Sequence, residues 1–225
     1  DTANFSGYFA TTDYGTDGAG SVGYSLALNA SSVNSGLYAL GSGGAKGSEI
    51  MLSMGTGTDE GVVLGKVGTT EYLRISVNDS GVISFTQSEN LWHGTAGDGT
   101  GTPDEHDETE SLSLGAGVLT LVQTVTDADG DTDSQDYDLG ANASFNIKDD
   151  GPDANSITPT APVSMTLDEN TLTGASISAV GDFSAYFSAT KDYGTDGAGS
   201  LEYALELSAS NVASGLYALD TTDQS

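Results

Sequence analysis

Residues 13–40 read DYGTDGAGSVGYSLALNASSVNSGLYAL and residues 192–219 read DYGTDGAGSLEYALELSASNVASGLYAL, so 21 of 28 positions are identical at an offset of 179. The match runs back, with one residue inserted, from Phe5-Ser6 and Tyr8-Phe9 to Phe183-Ser184 and Tyr186-Phe187. Self-similarity at a fixed offset is the mark of a tandem array built from one repeating unit. The joint between copies is expected at Asp149-Asp150-Gly151-Pro152-Asp153, because three of the four prolines (Pro152, Pro159, Pro162) fall there and proline favours an extended connection. The expected division is a repeat over residues 1–150 that lacks its N-terminal segment. Residues 151–225 then form a linker and the N-terminal part of the next repeat. Such a chain reads as a piece of a longer repeat protein, out of phase with its repeats.

The repeat also tells which face of a strand is buried. In residues 21–28, Val22, Tyr24, Leu26 and Leu28 point one way; in the second copy Tyr203, Leu205 and Leu207 keep that face while Glu202 and Glu206 take the other. This is period-two alternation with one apolar side. Further strand-like runs are 37–40, 50–54, 62–67, 72–77, 82–86, 112–114, 118–126, 144–147 and 163–167. Asn78-Asp79-Ser80-Gly81 is hairpin-turn chemistry. No window carries a capped 3.6-residue period. The expected fold is all-β: antiparallel β-sandwich modules of Ig-like type, in tandem. The run 163–167 is a candidate for the strand that the first copy lacks.

Charge narrows the function. The chain holds 33 Asp+Glu against 5 Lys+Arg, a formal net charge of −28, and no cysteine. Its cations are scattered, so no basic patch exists to neutralise nucleic-acid phosphates or to hold an anionic membrane surface. No apolar run approaches the ~20 residues of a membrane span. Without disulfides, an acidic secreted chain finds its staples in hard divalent cations, and Ca2+ takes 6–8 oxygen ligands in flexible geometry. The densest ligand set is Asp127, Asp129, Asp131 and Asp133 around Gly130, with Asp136 and Asp138 beyond. Asp138 stands at the twelfth position of an EF-hand count, but the glycine is fourth rather than sixth, so the loop is not an EF-hand. Asp13 and Asp17, repeated as Asp192 and Asp196, frame a glycine turn that suits either a cation or its own backbone donors. Asp149, Asp150, Asp153, Asp168 and Glu169 form a candidate cation site at the joint. The stretch from Gly94 to Glu110 reads as a solvated acidic loop.

Together these residues resemble the repeated extracellular domains of giant repeats-in-toxin (RTX) adhesins, exported by type I secretion in Gram-negative bacteria. The resemblance rests on Asp150-Gly151-Pro152, Leu167-Asp168-Glu169, the Asp-Tyr-Gly-Thr-Asp-Gly block, Ser35-Gly36-Leu37-Tyr38, Leu91-Trp92-His93 and residues 126–131. It implies Ca2+-dependent folding outside the cell, neighbouring repeats as partners, and a role in cell adhesion or biofilm formation. The glycine-rich calcium nonapeptide of the wider class is absent, which assigns this segment to the extending or ligand-displaying region.

Catalysis is not expected. His93 and His106 lack the partners of a tetrahedral zinc site, Asp79-Ser80-Gly81 is single where a carboxylate dyad needs two, and no Gly-x-Ser-x-Gly elbow or phosphate loop occurs. The alternative to a spacer is a carbohydrate- or peptide-binding module that uses Trp92 and the 94–110 loop.

Overall fold

The computed structural model describes residues 1–94, 108–154, 162–172, 174, 176–187 and 192–218. Eleven strands are formed among them: β1 (Thr2–Asn4), β2 (Ala19–Leu28), β3 (Val33–Leu40), β4 (Lys46–Met54), β5 (Val63–Val67), β6 (Thr70–Val77), β7 (Val82–Gln87), β8 (Thr109–Ser111), β9 (Leu119–Asp127), β10 (Thr132–Asp138) and β11 (Asn146–Lys148). One short helix, α1 (Leu139–Asn142), follows β10. No helix among the described residues is long and apolar enough to cross a membrane.

Every pairing is antiparallel, and the strands make three sheets. Six strands run β1-β7-β6-β5-β4-β3, three run β10-β9-β2, and two run β11-β8. The large sheet is built mostly from consecutive hairpins whose turns are set locally. Between β6 and β7, the Asn78 side chain accepts from the N–H groups of Ser80 and Val82, both at 3.0 Å. Gly81 takes φ +72° there, a left-handed value that favours glycine.

Alternation then buries one face of that sheet. Leu52, Val63, Ile75 and Ile83 meet Leu26 of β2 and Leu119 and Leu121 of β9, with Leu139 and Phe145 closing the cluster. A second cluster, Leu37, Ile50, Leu73, Leu91 and Ile147, fills the space under the two-stranded sheet. Ile50 and Leu52, like Leu73 and Ile75, are two residues apart, so both clusters lie on one face. The result is an antiparallel β-sandwich, as the alternation predicts, with Tyr24, Leu26 and Leu28 all turned into or against the core.

The second copy behaves differently. Its turns repeat those of the first: Gly194 and Gly197 have φ +71° and +105° where Gly15 and Gly18 have +70° and +103°. Its 3-10 turn Ser184–Tyr186 matches Ser6–Tyr8. Aromatic contacts repeat as well, Phe9–Tyr24 at 5.8 Å becoming Phe187–Tyr203 at 5.1 Å. Yet residues 201–207, the counterpart of β2, form no strand, and Leu205 is fully exposed. A strand needs a neighbour for its backbone donors and acceptors. β2 pairs with β9, and among the described residues no strand takes the place of β9 beside residues 201–207. The strand expected at 163–167 is likewise not formed; Met165 lies beside Gly181 and does not complete the first copy.

Candidate metal centre

β2 and β9 carry the site. They pair from Leu28↔Leu119 to Ser21↔Thr126, and the register shifts between Ser21 and Ala19. Gly20 sits at that shift, where a Cβ would fall on the carbonyl oxygens of Thr126 and Asp127. Only glycine lets the two backbones approach this closely. Just before it, the carbonyl of Gly18 accepts from the N–H of Ala128 at 3.1 Å. The turn of residues 13–18 is thereby fastened to the loop between β9 and β10.

That loop is closed on Asp127. Its N–H donates to the carbonyl of Asp131 at 3.0 Å. Its Oδ1 accepts from the N–H groups of Gly130 at 2.9 Å and Asp131 at 2.8 Å. The consequence is a carboxylate triad: one oxygen each from Asp17, Asp127 and Asp129 lies within 4.8 Å of the other two. No other group of three His, Cys, Asp or Glu residues among the described residues converges this way. Oxygens on opposite sides of one Ca2+, bound at ~2.4 Å, are separated by about 4.8 Å, so all three fit on a single coordination sphere.

The triad's electrostatics agree with this. A hydrogen bond with the Asp129 side chain, foremost, and then the N–H groups of Asp131, Gly130 and Asp129 hold the Asp127 carboxyl below its ordinary range against opposing desolvation. The donor set is all oxygen, with Asp17 and Asp129 exposed and Asp127 half-buried, which suits Ca2+ better than softer ions.

The other carboxylates of the sequence set are placed elsewhere. Asp131 contributes its backbone to the loop, and Asp133 lies on β10 opposite Val125. Asp138 caps α1, accepting from Ala141 N–H at 3.1 Å and from Gly117 N–H at 2.8 Å. Asp13 accepts from Gly15 N–H at 2.9 Å, and Asp192 from Gly194 N–H at 3.1 Å, the same turn in both copies. Asp168 caps its own 3-10 turn, which contains Glu169, by accepting from Asn170 N–H at 2.9 Å.

At the joint, the Asp153 N–H donates to the Asp192 carbonyl at 3.1 Å, and the Asn90 side chain donates to the Thr195 carbonyl. This seats the second copy's turn against the first copy. Asp196 faces Asp149, Asp150 and His93; desolvation first, then the charge of Asp149, raise its carboxyl, with His93 opposing and Asp150 adding. His93 stands outside the set of joint residues expected from the sequence. Its side chain is 5% exposed, and Nε2 lies 3.9 Å from Asp149 Oδ1. Nothing in the Leu-Trp-His sequence signals that neighbourhood. Sequence reading also misses that Asp17 joins the β9–β10 loop, since only the register of β2 on β9 brings them together.

A family model described as a domain of unknown function, DUF5801, matches residues 1–140 and again 164–225. The chain belongs to the DUF5801 family. The two matched stretches of DUF5801 sequence leave out residues 141–163, which include the joint. No curated protein and no solved structure gives a significant match. The triad residues Asp17, Asp127 and Asp129 all lie in the first DUF5801 stretch, and Asp196 lies in the second.

Proposed function

We propose that this DUF5801 chain is a calcium-stabilised structural repeat, an extender or spacer of an RTX-type bacterial surface adhesin. It folds on Ca2+ outside the cell and supports adhesion or biofilm formation. The observation that carries the reading is the convergence of Asp17, Asp127 and Asp129 from two segments far apart in sequence. Asp17, Asp127 and Asp129 would hold the ion, one carboxylate oxygen each. The ion supplies counter-charge, and the chain's own residues supply the geometry.

The mechanism follows from linkage. Without cations, the self-repulsion of a net charge of −28 disfavours the compact state. In a calcium-poor cytosol the chain stays open and fit for export by type I secretion. In the extracellular medium each ion that binds only the folded form adds stability, about 2.7 kcal/mol at a hundredfold excess over its dissociation constant. Neighbouring repeats of the same chain are its partners, with the turn of residues 192–197 seated on the preceding joint to stiffen the array. The role is structural rather than catalytic, with no nucleic acid and no insertion into a membrane.

The test is thermal unfolding of the chelator-treated protein with added CaCl2, against MgCl2 at equal ionic strength. A saturable rise in Tm specific to Ca2+ supports the reading. Equal responses to both ions reduce it to charge screening.

A further inference from the structure

Away from the triad, the open edge of β3 carries a second constellation. The N–H of Trp92 donates to the carbonyl of Tyr38 at 2.8 Å, and Leu91 bridges Ala39, so residues 91–92 extend the sheet past β3. This places the Tyr38 and Trp92 rings edge to face, with centroids 6.4 Å apart and planes at 86°. They border a cleft of about 200 Å3 with Leu37 and Gly36, and Glu110 of β8 also lines it. The ammonium of Lys46, the first residue of β4, lies 3.4 Å from the Tyr38 ring centroid and 4.7 Å from that of Trp92.

The position of Lys46 is informative because carboxylates are everywhere in this chain. It has 33 of them against five Lys+Arg. Arg74 follows that excess and pairs with Asp59 and Glu71, whereas the Lys46 ammonium sits over two rings. Two aromatic faces and a lining carboxylate are the elements that recognise an organic ammonium ion: the ring quadrupoles attract the charge, and the cleft strips part of its water. The lysine itself is exposed and reaches the rings on a flexible stem.

The geometry points to a binding site for a ligand ammonium group in the Tyr38–Trp92–Glu110 cleft, with Lys46 as a displaceable internal plug. The ligand class is a primary or quaternary organic ammonium. The site stands independently of the calcium reading, since it shares no residue with the triad.

Trp92 is the only tryptophan in the chain, so its emission reports the cleft directly. The protein would be titrated with choline chloride and, separately, with α-N-acetyl-lysine amide, each against NaCl at matched ionic strength. The NaCl arm removes the general attraction of cations to so acidic a surface. A saturable change in Trp92 emission is expected, half-complete on the order of millimolar for one ammonium held by two rings. The tighter of the two probes identifies the head group. Lys46→Ala removes a tethered competitor and should tighten binding on the order of tenfold, while Tyr38→Ala should abolish it. A linear response no different from NaCl in wild type and Lys46→Ala overturns the proposal, as does a saturable response that survives Tyr38→Ala. Should Lys46→Ala fail to fold, the acetylation rate of Lys46 in the wild type decides: choline must raise it by exposing the amine, and an unchanged rate overturns the site.

Discussion

The N–H of Ala128 donates to the carbonyl of Gly18, and this bond joins the turn that carries Asp17 to the loop that carries Asp127 and Asp129. A sheet register thereby becomes a cation site. β2 lies on β9 in one register because one face of each is apolar, and a one-residue slip would expose Leu26 and Leu121 together. The carboxylates at the end of that pairing are brought together by hydrophobic burial, against their own repulsion.

Gly20 is the position where this arrangement is least tolerant. A side chain there meets the backbone of Thr126 and Asp127, which cannot move aside as a flexible side chain could. Gly20→Val should lower stability by about 2–3 kcal/mol, in the range of overpacked sites, and weaken the calcium response as well. Denaturant unfolding with and without CaCl2 checks both. A near-neutral variant would mean that β2 and β9 do not approach as described.

Asp138 separates a cap from a ligand. Its carboxylate serves Ala141 and Gly117 and stands apart from the triad. Asp138→Ala should cost about 1–2 kcal/mol for the lost cap, whereas Asp138→Asn retains most of the stability. Neither should change the calcium-induced shift in Tm. A calcium response lost in Asp138→Asn would return this residue to the ligand set.

The pH dependence has a definite sign. The folded Asp127 carboxyl lies below its ordinary 3.8, chiefly through the Asp129 side chain and then through backbone N–H groups. A depressed carboxyl contributes its stability in full above the unfolded value and loses it as pH falls through the folded one. In calcium-free buffer, the stability difference between wild type and Asp127→Asn should be flat above about pH 4 and shrink below it. A difference that grows on acidification contradicts the hydrogen bonds assigned to Asp127.

Hydrogen exchange should divide the two copies. Amides of residues 119–125 lie in a central strand paired on both sides, while residues 201–207 have no strand partner among the described residues. The first set should be strongly protected and the second should exchange at nearly the random-coil rate. Equal protection would require a partner for the second copy.

Much of this is legible in the sequence, for identifiable reasons. The strands from β2 to β7 and β9 follow from alternation, which depends only on which residues are apolar. The turns at 78–81 and 13–18 follow from local side-chain chemistry, and the second copy repeats the latter without its strands. β10 is hidden from such a reading, because Thr132–Asp138 is an exposed edge strand with no apolar face to reveal it. The strand expected at 112–114 forms instead at Thr109–Ser111, where pairing with β11 outweighs the apolar pattern. Residues 201–207 fail as a strand because alternation describes a face and says nothing of a neighbour. For the same reason the aspartates can be singled out but not grouped: Asp127 and Asp129 are close in the chain, and Asp17 reaches them only through β2. Residues 95–107 of the proposed ligand loop and residues 155–161 near the joint lie outside the described residues.

The central claim is that the converging carboxylates of Asp17, Asp127 and Asp129 hold one cation. Asp129→Asn tests it most directly, since it removes one ligand charge and with it part of the repulsion among the three carboxylates. The measurement is Tm at neutral pH, with chelator and with saturating CaCl2, for wild type and variant. Wild type should gain roughly 5–10 °C on calcium addition, the shift expected of one site at a hundredfold excess. Asp129→Asn should melt higher than wild type in chelator and gain little from calcium. A wild type indifferent to calcium, or a variant that gains as much as the wild type, would contradict the account.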